Sequence, residues 1–476
     1  MLWEITTGII LVVYVYTILT TIILLLMENR NPVKSIAWIV VLILLPIVGF
    51  VFYIFFGKNI RRQIVLSRRS LHKEKRNSTI ISSDIEQISS DVLSPEQINI
   101  ATLARNSCDA LAHEGNKLKI YTDGITVFED IFAVIETAKH HIHLEYYIFL
   151  DDEIGRRMID ALILKVKEGV SVRVIIDDVG SWQMPKSTIR EMQSQGIEVM
   201  SFLKVGLPFL SSKVNYRNHR KILIVDGKVG FTGGINIADR YVKGLKWGKW
   251  RDTHIRIEGP AVHGLQKIFL TDWYFVNRKL ISDAVFYPNL KKSGNSLVQI
   301  ITSGPDTFWD SVMQVYFMAI VQAREYVYIE TPYFLPTDSI ITALQTAVLG
   351  GVDVRIILPM RSDAKFTLAS SYSYMGEMLK AGVKMYFYQS GFLHSKTIVI
   401  DDKISTVGST NMDFRSFEQN FELNALIFDP EIAVKMRKIF EQDLADSVSV
   451  NANTWKKRPV KVRLKESIAR LFSPLL

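Results

Sequence analysis

Cysteine is almost absent: Cys108 is the only one in 476 residues, so neither an intrachain disulfide nor a thiolate metal cluster can form. Long polar tracts are missing too, and 48% hydrophobic with 11% aromatic residues excludes a disordered chain. Neither sign of charge dominates: 57 basic residues face 48 acidic ones, a net +9. That balance points to an anionic partner, nucleic acid or an acidic lipid surface, and leaves the fold open. At this length two or three domains are expected, at ~100–200 residues each.

Charge is wholly lacking from residues 5–27 and 35–57, two runs of 23 residues each. About 20 apolar residues suffice for a helix to cross a bilayer core, so the pattern predicts a two-helix transmembrane hairpin. A cleaved signal peptide is the alternative for the first run, but Met1 to Glu4 supply no basic region and no small-residue cleavage site follows. The link between the runs carries only Arg30 and Lys34 as cations, whereas Lys58, Arg61, Arg62, Arg68, Arg69, Lys73, Lys75 and Arg76 follow the second. The positive-inside rule then places the short N-terminus and everything after residue 57 in the cytoplasm. The basic run itself is either a solvated linker or a contact for anionic headgroups.

Residues 61–112 read as a basic and polar connector with one or two weak helices, and from His113 onward β-branched runs alternate with helical periodicity, an α/β pattern. Self-comparison shows a duplication. The segment from His143 through Glu145 to Phe149 matches Tyr328 through Glu330 to Phe334. Gly169 to Ile176 matches Gly351 to Leu358, and His219 to Asp226 matches His394 to Asp401. The three matches keep their order at nearly constant spacing, which means two like domains, not a solenoid.

The third match carries chemistry. Both copies read His-x-Lys-x4-Asp, and six residues later comes a Gly-x-x-Asn tetrapeptide ending at Asn236 or Asn411. Alternate strand residues share a face, so His219 projects with Lys221 and His394 with Lys396. Asp226-Gly227 marks a tight turn after the first of these strands. Two lysines and two imidazoles together would suit a phosphodiester: the lysines neutralise its oxygens, one histidine attacks phosphorus and the other protonates the leaving oxygen. A single His-x-Lys is more often structural; two copies inside a duplication are not. His140, His141 and His143 lie close together but lack zinc-ligand spacing and are read as the start of a strand, so neither a metal nor a cofactor is expected.

These residues resemble the paired HKD motifs of the phospholipase D superfamily, over roughly residues 113–450. The resemblance implies two α/β/α repeats, 113–290 and 291–450, related by pseudo-two-fold symmetry around one active site, with a phosphohistidine intermediate. It also implies that a carboxylate about 25–35 residues downstream orients each histidine; Asp252 for His219 and Glu422 for His394 match by spacing. Asp226 and Asp401 belong to the catalytic motifs but sit at strand ends, where a structural role is expected. Asn236 and Asn411 are candidate donors to phosphoryl oxygens, and Arg217, Arg220 and Arg415 candidate contacts for a second phosphate or ordinary salt-bridge partners. Which histidine attacks is not legible; relatives commonly use the first motif, which favours His219.

Within residues 1–60, the second uncharged run and its flanks, Asn31-Pro32 through Trp38, Leu45 to Gly49 and Tyr53 to Gly57, are similar to the N-terminal segment of bacterial cardiolipin synthases, as are Asn215 to Lys221, Asn411 to Phe417 and the closing Ser473 to Leu476. That similarity implies transfer of a phosphatidyl group between two phosphatidylglycerol molecules in the cell membrane, with anionic lipid and not nucleic acid as the partner. Phospholipase D, phosphatidylserine synthase and tethered nuclease activities are the alternatives within the superfamily, and a noncatalytic scaffold is an alternative of a different class. Two further stretches fit a lipid. Phe202, Leu203, Val205, Leu207, Pro208, Phe209 and Leu210 form either a lipid-facing loop or a buried strand. Residues 451–476 place Leu464, Ile468, Leu471 and Leu475 at helical spacing among seven cations, a basic amphipathic helix.

Overall fold

The computed structural model describes residues 2–27, 32–45, 49–50, 53, 93–205 and 215–475. It divides into a unit of residues 1–62 with 205–215 and a larger one of 63–204 with 216–476.

In the smaller unit the first uncharged run is a helix, Leu2–Met27, and the second is helical over Pro32–Leu44. The latter has 13 residues, short of the ~20 a crossing requires, and several side chains of the former lie outside the description. Among the described residues no helix is long and apolar enough to cross a membrane, so the expected pair of spanning helices is not supported as such. Trp38 meets Tyr53 edge-on at 5.6 Å, next to buried Leu42. The basic run after residue 57 and Leu207 to Leu210 lie outside the described residues.

The larger unit is built twice. The first half supplies β1 (Ala112–Tyr121), β2 (His141–Tyr146), β3 (Ser171–Asp177), β4 (Glu198–Phe202), β5 (Lys221–Val225), β6 (Val229–Gly233), β7 (Lys249–Arg251) and β8 (His254–Glu258). The second supplies β9 (Ser296–Ser303), β10 (Tyr326–Glu330), β11 (Phe334–Leu335), β12 (Asp353–Pro359), β13 (Lys384–Tyr388), β14 (Gly391–Leu393), β15 (Thr397–Ile400), β16 (Ile404–Gly408), β17 (Met412–Asp413), β18 (Glu422–Phe428) and β19 (Ser447–Ser449). One sheet runs β19-β13-β12-β10-β15-β16-β18-β9-β1-β8-β6-β5-β2-β3-β4. Read from either side of the β9–β1 junction, the order of equivalent strands is the same, which is the expected pseudo-two-fold. In both halves β-branched residues of the central parallel strands are buried, as suits strands covered on two faces: Ile142, Val172 and Val174 in one, Val327, Val354 and Ile356 in the other. Helices such as Gly124–Glu136 and Glu153–Lys167, matched by Ser311–Gln322 and Asp338–Leu349, cover them.

Two segments sharpen the expectation. Within the supposed polar connector, Ser94 closes a capping box on the helix Pro95–Cys108, which puts Ile100, Ala101 and Ala104 into the core of the second half with Val312 and Val315. Phe202 is fully buried between Phe275 and Phe421, with ring centroids at 5.1 and 4.9 Å, so the described start of the apolar stretch is core.

Candidate active site

Each motif aspartate ends its strand in the left-handed region, Asp226 at φ 53° and Asp401 at φ 52°. There its carboxylate gathers three successive backbone N–H groups: those of Lys139, His140 and His141 at 2.9, 2.8 and 3.0 Å, or of Arg324, Glu325 and Tyr326 at 2.7, 2.9 and 2.7 Å. These bonds tie the end of each motif strand to the start of its antiparallel neighbour, β2 in the first half and β10 in the second, a structural role. His141 and His143 open β2 as predicted, packed with Phe286 and Gln266.

The histidines come together at one cavity of about 390 Å³, lined by both imidazoles and by residues of both halves. How they are held departs from the spacing argument. His219 Nδ1 lies 3.1 Å from the Glu422 carboxylate, and His394 Nδ1 lies 2.6 Å from Asp252. Each histidine is therefore oriented by the carboxylate of the opposite half, not by the one downstream of it. The backbone explains the exchange. The His219 N–H donates to Phe421 O at 2.9 Å, and the His394 N–H donates to Arg251 O at 2.7 Å, so each histidine is registered against the residue preceding the other half's carboxylate. With Nδ1–H spent on a carboxylate, Nε2 carries the lone pair.

The electrostatics follow from depth. Burial holds His219 below its ordinary range against the pull of Glu422. Burial, then Lys396, hold His394 down at about 4. Burial would raise Asp252 and Glu422, but the cationic partners hold both carboxylates below their usual values, Lys396 and His394 for the first and His219 and Lys221 for the second. The lysines stand behind the rings and not on the cavity wall: Lys221 Nζ donates to His219 O at 2.5 Å, and Lys396 Nζ donates to His394 O with His394 Nδ1 2.9 Å away. Burial lowers Lys221 to about 7 and Lys396 to about 8.

The remaining expected residues divide. Arg217 and Arg415 line the cavity, the former paired with Asp177 at 3.2 Å. Arg220 does not: it is fully buried, its guanidinium bonded to Asp272 and its Nε 3.3 Å from Glu422 O. It braces the carboxylate strand and is not a substrate contact. Asn236 and Asn411 both reach the cavity. Asn236 already gives one amide hydrogen to Tyr241 Oη at 2.6 Å and accepts from Ile148 N–H at 3.1 Å, whereas the buried Oδ1 of Asn411 has no hydrogen-bond partner.

Arg240 and Asp363 also line the cavity, and both were missed. Arg240 was within reach of the repeat: Gly233 to Arg240 aligns with Gly408 to Arg415, so each copy carries an arginine four residues beyond its asparagine. Asp363 had no such signal. It accepts from Tyr333 Oη at 2.7 Å and has no acidic counterpart in the first half.

A family model described as "Cardiolipin synthase, PLD-like domain" matches residues 131–273 and 316–444, and a phospholipase D-nuclease N-terminal model matches 12–58. The chain is 42% identical over 457 residues to a cardiolipin synthase of Geobacillus kaustophilus, covering 94% of this chain and 90% of that one. It is 40% identical over 474 residues to the major cardiolipin synthase of Bacillus subtilis, covering 97% and 98%. A crystal structure of a phosphatidylserine synthase from Haemophilus influenzae superposes with a TM-score of 0.61 at 14% identity, over 79% of this chain and all of that one, a likeness of fold.

Proposed function

Because this chain belongs to the bacterial cardiolipin synthase family of phospholipase D-like proteins, we propose that its cavity moves a phosphatidyl group from one phosphatidylglycerol to another. His219 Nε2 attacks the first phosphorus, a P–N bond forms and the P–O bond to the glycerol headgroup breaks. The leaving oxygen takes its proton from His394. The headgroup hydroxyl of the second lipid then returns a proton to His394 and attacks phosphorus, the P–N bond breaks, and the products are cardiolipin and glycerol. Burial keeps His394 neutral in the empty cavity, so the arriving phosphodiester anion has to raise its proton affinity before it can act as acid. Arg217, Arg240 and Arg415 supply fixed positive charge for the two phosphates.

The crossed pairing of His219 with Glu422 and His394 with Asp252 carries this reading, because it gives two oriented imidazoles at one cavity, as double displacement needs. The test is incubation of the purified protein with radiolabelled phosphatidylglycerol in mixed micelles containing a chelator. Cardiolipin with stoichiometric glycerol, lost in His394→Ala, is the expected result. Phosphatidic acid alone would return the chain to a phospholipase D, and turnover only with serine to a phosphatidylserine synthase.

The same reading places the enzyme at the cell membrane, with the N-terminal unit as a two-span anchor and catalysis in the cytoplasm. Trp3, Val12, Tyr16 and Leu19 of the first helix are exposed, and Thr7 and Thr21 return their hydroxyls to the carbonyls of Trp3 and Thr17, both at 2.7 Å, as suits lipid surroundings. A cysteine placed at Asn29 in a Cys108→Ser background should react with an impermeant thiol reagent from outside intact cells. Protection there, with reaction only after lysis, would reject this topology.

A further inference from the structure

The C-terminal helix Val460–Leu471 lies beyond the matched family model, which ends at residue 444. One face is clamped to the larger unit. Ala469 and Glu466 are buried, Arg458 bonds Glu466 at 2.6 Å, and Arg470 lies 4.2 Å over the Tyr374 ring. Just past the helix, Ser473 Oγ meets Ser370 Oγ at 2.7 Å. The helix thus lies against Lys365–Ala381, whose start, with Asp363, Ala364 and Thr367, walls the cavity.

Its large apolar residues are not on the clamped face. Val460, Leu464, Ile468 and Leu471 fall on one stripe and are 76, 58, 48 and 78% exposed. The stripe continues through Phe472, which meets Phe366 at 5.7 Å beside the cavity wall, both rings about half exposed. Lys456, Lys457, Lys461, Arg463 and Lys465 flank it, all exposed, and Glu466, the one acidic residue after position 446, is buried in its pair with Arg458. A helix would normally bury such a stripe against its own protein. Here the buried contact is polar, and apolar and basic groups face outward together, the combination that binds an anionic leaflet.

We infer that this helix, with Phe472 and Phe366, is a lipid-docking surface that seats the cavity mouth on a leaflet rich in anionic phospholipid; the choice of lipid over protein rests on the proposed function. The test uses full-length protein carrying Leu464→Cys in a Cys108→Ser background, labelled with an environment-sensitive dye and mixed with vesicles of equal phosphatidylglycerol and phosphatidylcholine whose acyl chains bear a quencher. At least twofold quenching is expected, and none would overturn the inference. Alongside it, Leu464→Ser with Leu471→Ser should lower turnover of vesicular phosphatidylglycerol about tenfold and leave a dispersed short-chain analogue within twofold. Equal loss on both substrates, or no loss on vesicles, would also overturn it. Quenching without any cardiolipin formed by the wild-type protein would sink the proposed function and leave the docking surface standing.

Discussion

His219 and His394 occupy equivalent places in equivalent halves, yet different walls surround them. His219 has Tyr147 edge-on at 4.9 Å, with Arg217 and Asp177 ion-paired behind it. At the position matching Arg217 the second half has Phe392, and His394 is boxed by Trp250 at 5.1 Å, Phe392 at 5.5 Å and Tyr241 at 6.1 Å. The buried cation beside each motif differs as well. Arg220 is the first half's own, whereas the second half has Ser395 there and takes Arg251 from the first, bonded to Asp443 at 2.6 Å. Duplication kept the two imidazoles and let their surroundings diverge. Unequal environments are how two like groups come to have unlike proton affinities, and so unlike tasks.

Replacing either histidine with alanine is the harshest way to break the comparison: about 10²–10⁴-fold in kcat for loss of acid–base function, and more where the nucleophile goes. The halves should then separate by what is trapped. A phosphoryl adduct isolated from the wild-type protein should map to His219, and mapping to His394 would reverse the two tasks. The carboxylates come next. Glu422→Gln and Asp252→Asn should each cost about 10²-fold, but a substrate with a p-nitrophenyl leaving group, which needs no proton, should restore adduct formation to Asp252→Asn and not to Glu422→Gln. Rescue of the Glu422 variant alone would mean that the crossed partners exchange roles. Gly234→Ala belongs with Asp252→Asn, since a Cβ there would stand 1.9 Å from Asp252 Oδ1 and must displace the carboxylate from His394.

The duplication and both His-x-Lys pairs were legible because they recur in order along the chain, and the two carboxylates only through the family resemblance. Pairing across the pseudo-two-fold was not. Spacing within a half assigns Asp252 to His219, and only the strand register that sets Phe421 against His219 and Arg251 against His394 reveals the exchange. Arg220 looked like a phosphate contact because it adjoins the motif, but its neighbours in sequence alternate onto the other face of the strand and carry it toward Asp272. Asp363 was invisible for the opposite reason: it stands on a loop of one half and has no counterpart to align. The helix Pro95–Cys108 fits the weak helix expected there, but its place in the core was hidden by polar composition, since Ile100, Ala101 and Ala104 make a narrow apolar strip amid Asn, Gln and Arg.

Changing pH alters both halves together, by a smaller factor. The lysines stand behind the imidazoles and attract a bound phosphodiester through their charge, and burial lowers Lys221 to about 7 and Lys396 to about 8. Below these values both are protonated; as pH rises through them the positive charge is lost. The kcat/KM for phosphatidylglycerol should therefore fall above pH ~7, about tenfold per unit once the first lysine titrates. A profile flat to pH 9 would mean that the arginines alone hold the phosphates, and Lys221→Met would then leave KM unchanged.

The mildest change isolates the difference between the two trailing tetrapeptides. Where the first half has Gly234 against Asp252, the second has Ser409, whose hydroxyl donates to Glu422 and whose backbone O lies 3.0 Å from His219 Nδ1. The glutamate is one methylene longer than the aspartate, and the serine supplies a second hydrogen bond to fix the longer side chain. Ser409→Ala removes that bond and keeps the backbone contact, so about 1 kcal/mol, or roughly fivefold in kcat, is expected. The loss should appear in adduct formation and not in its resolution, because Glu422 orients His219. A rate of resolution that falls while formation holds would move His219 to the acid–base role and His394 to the nucleophile.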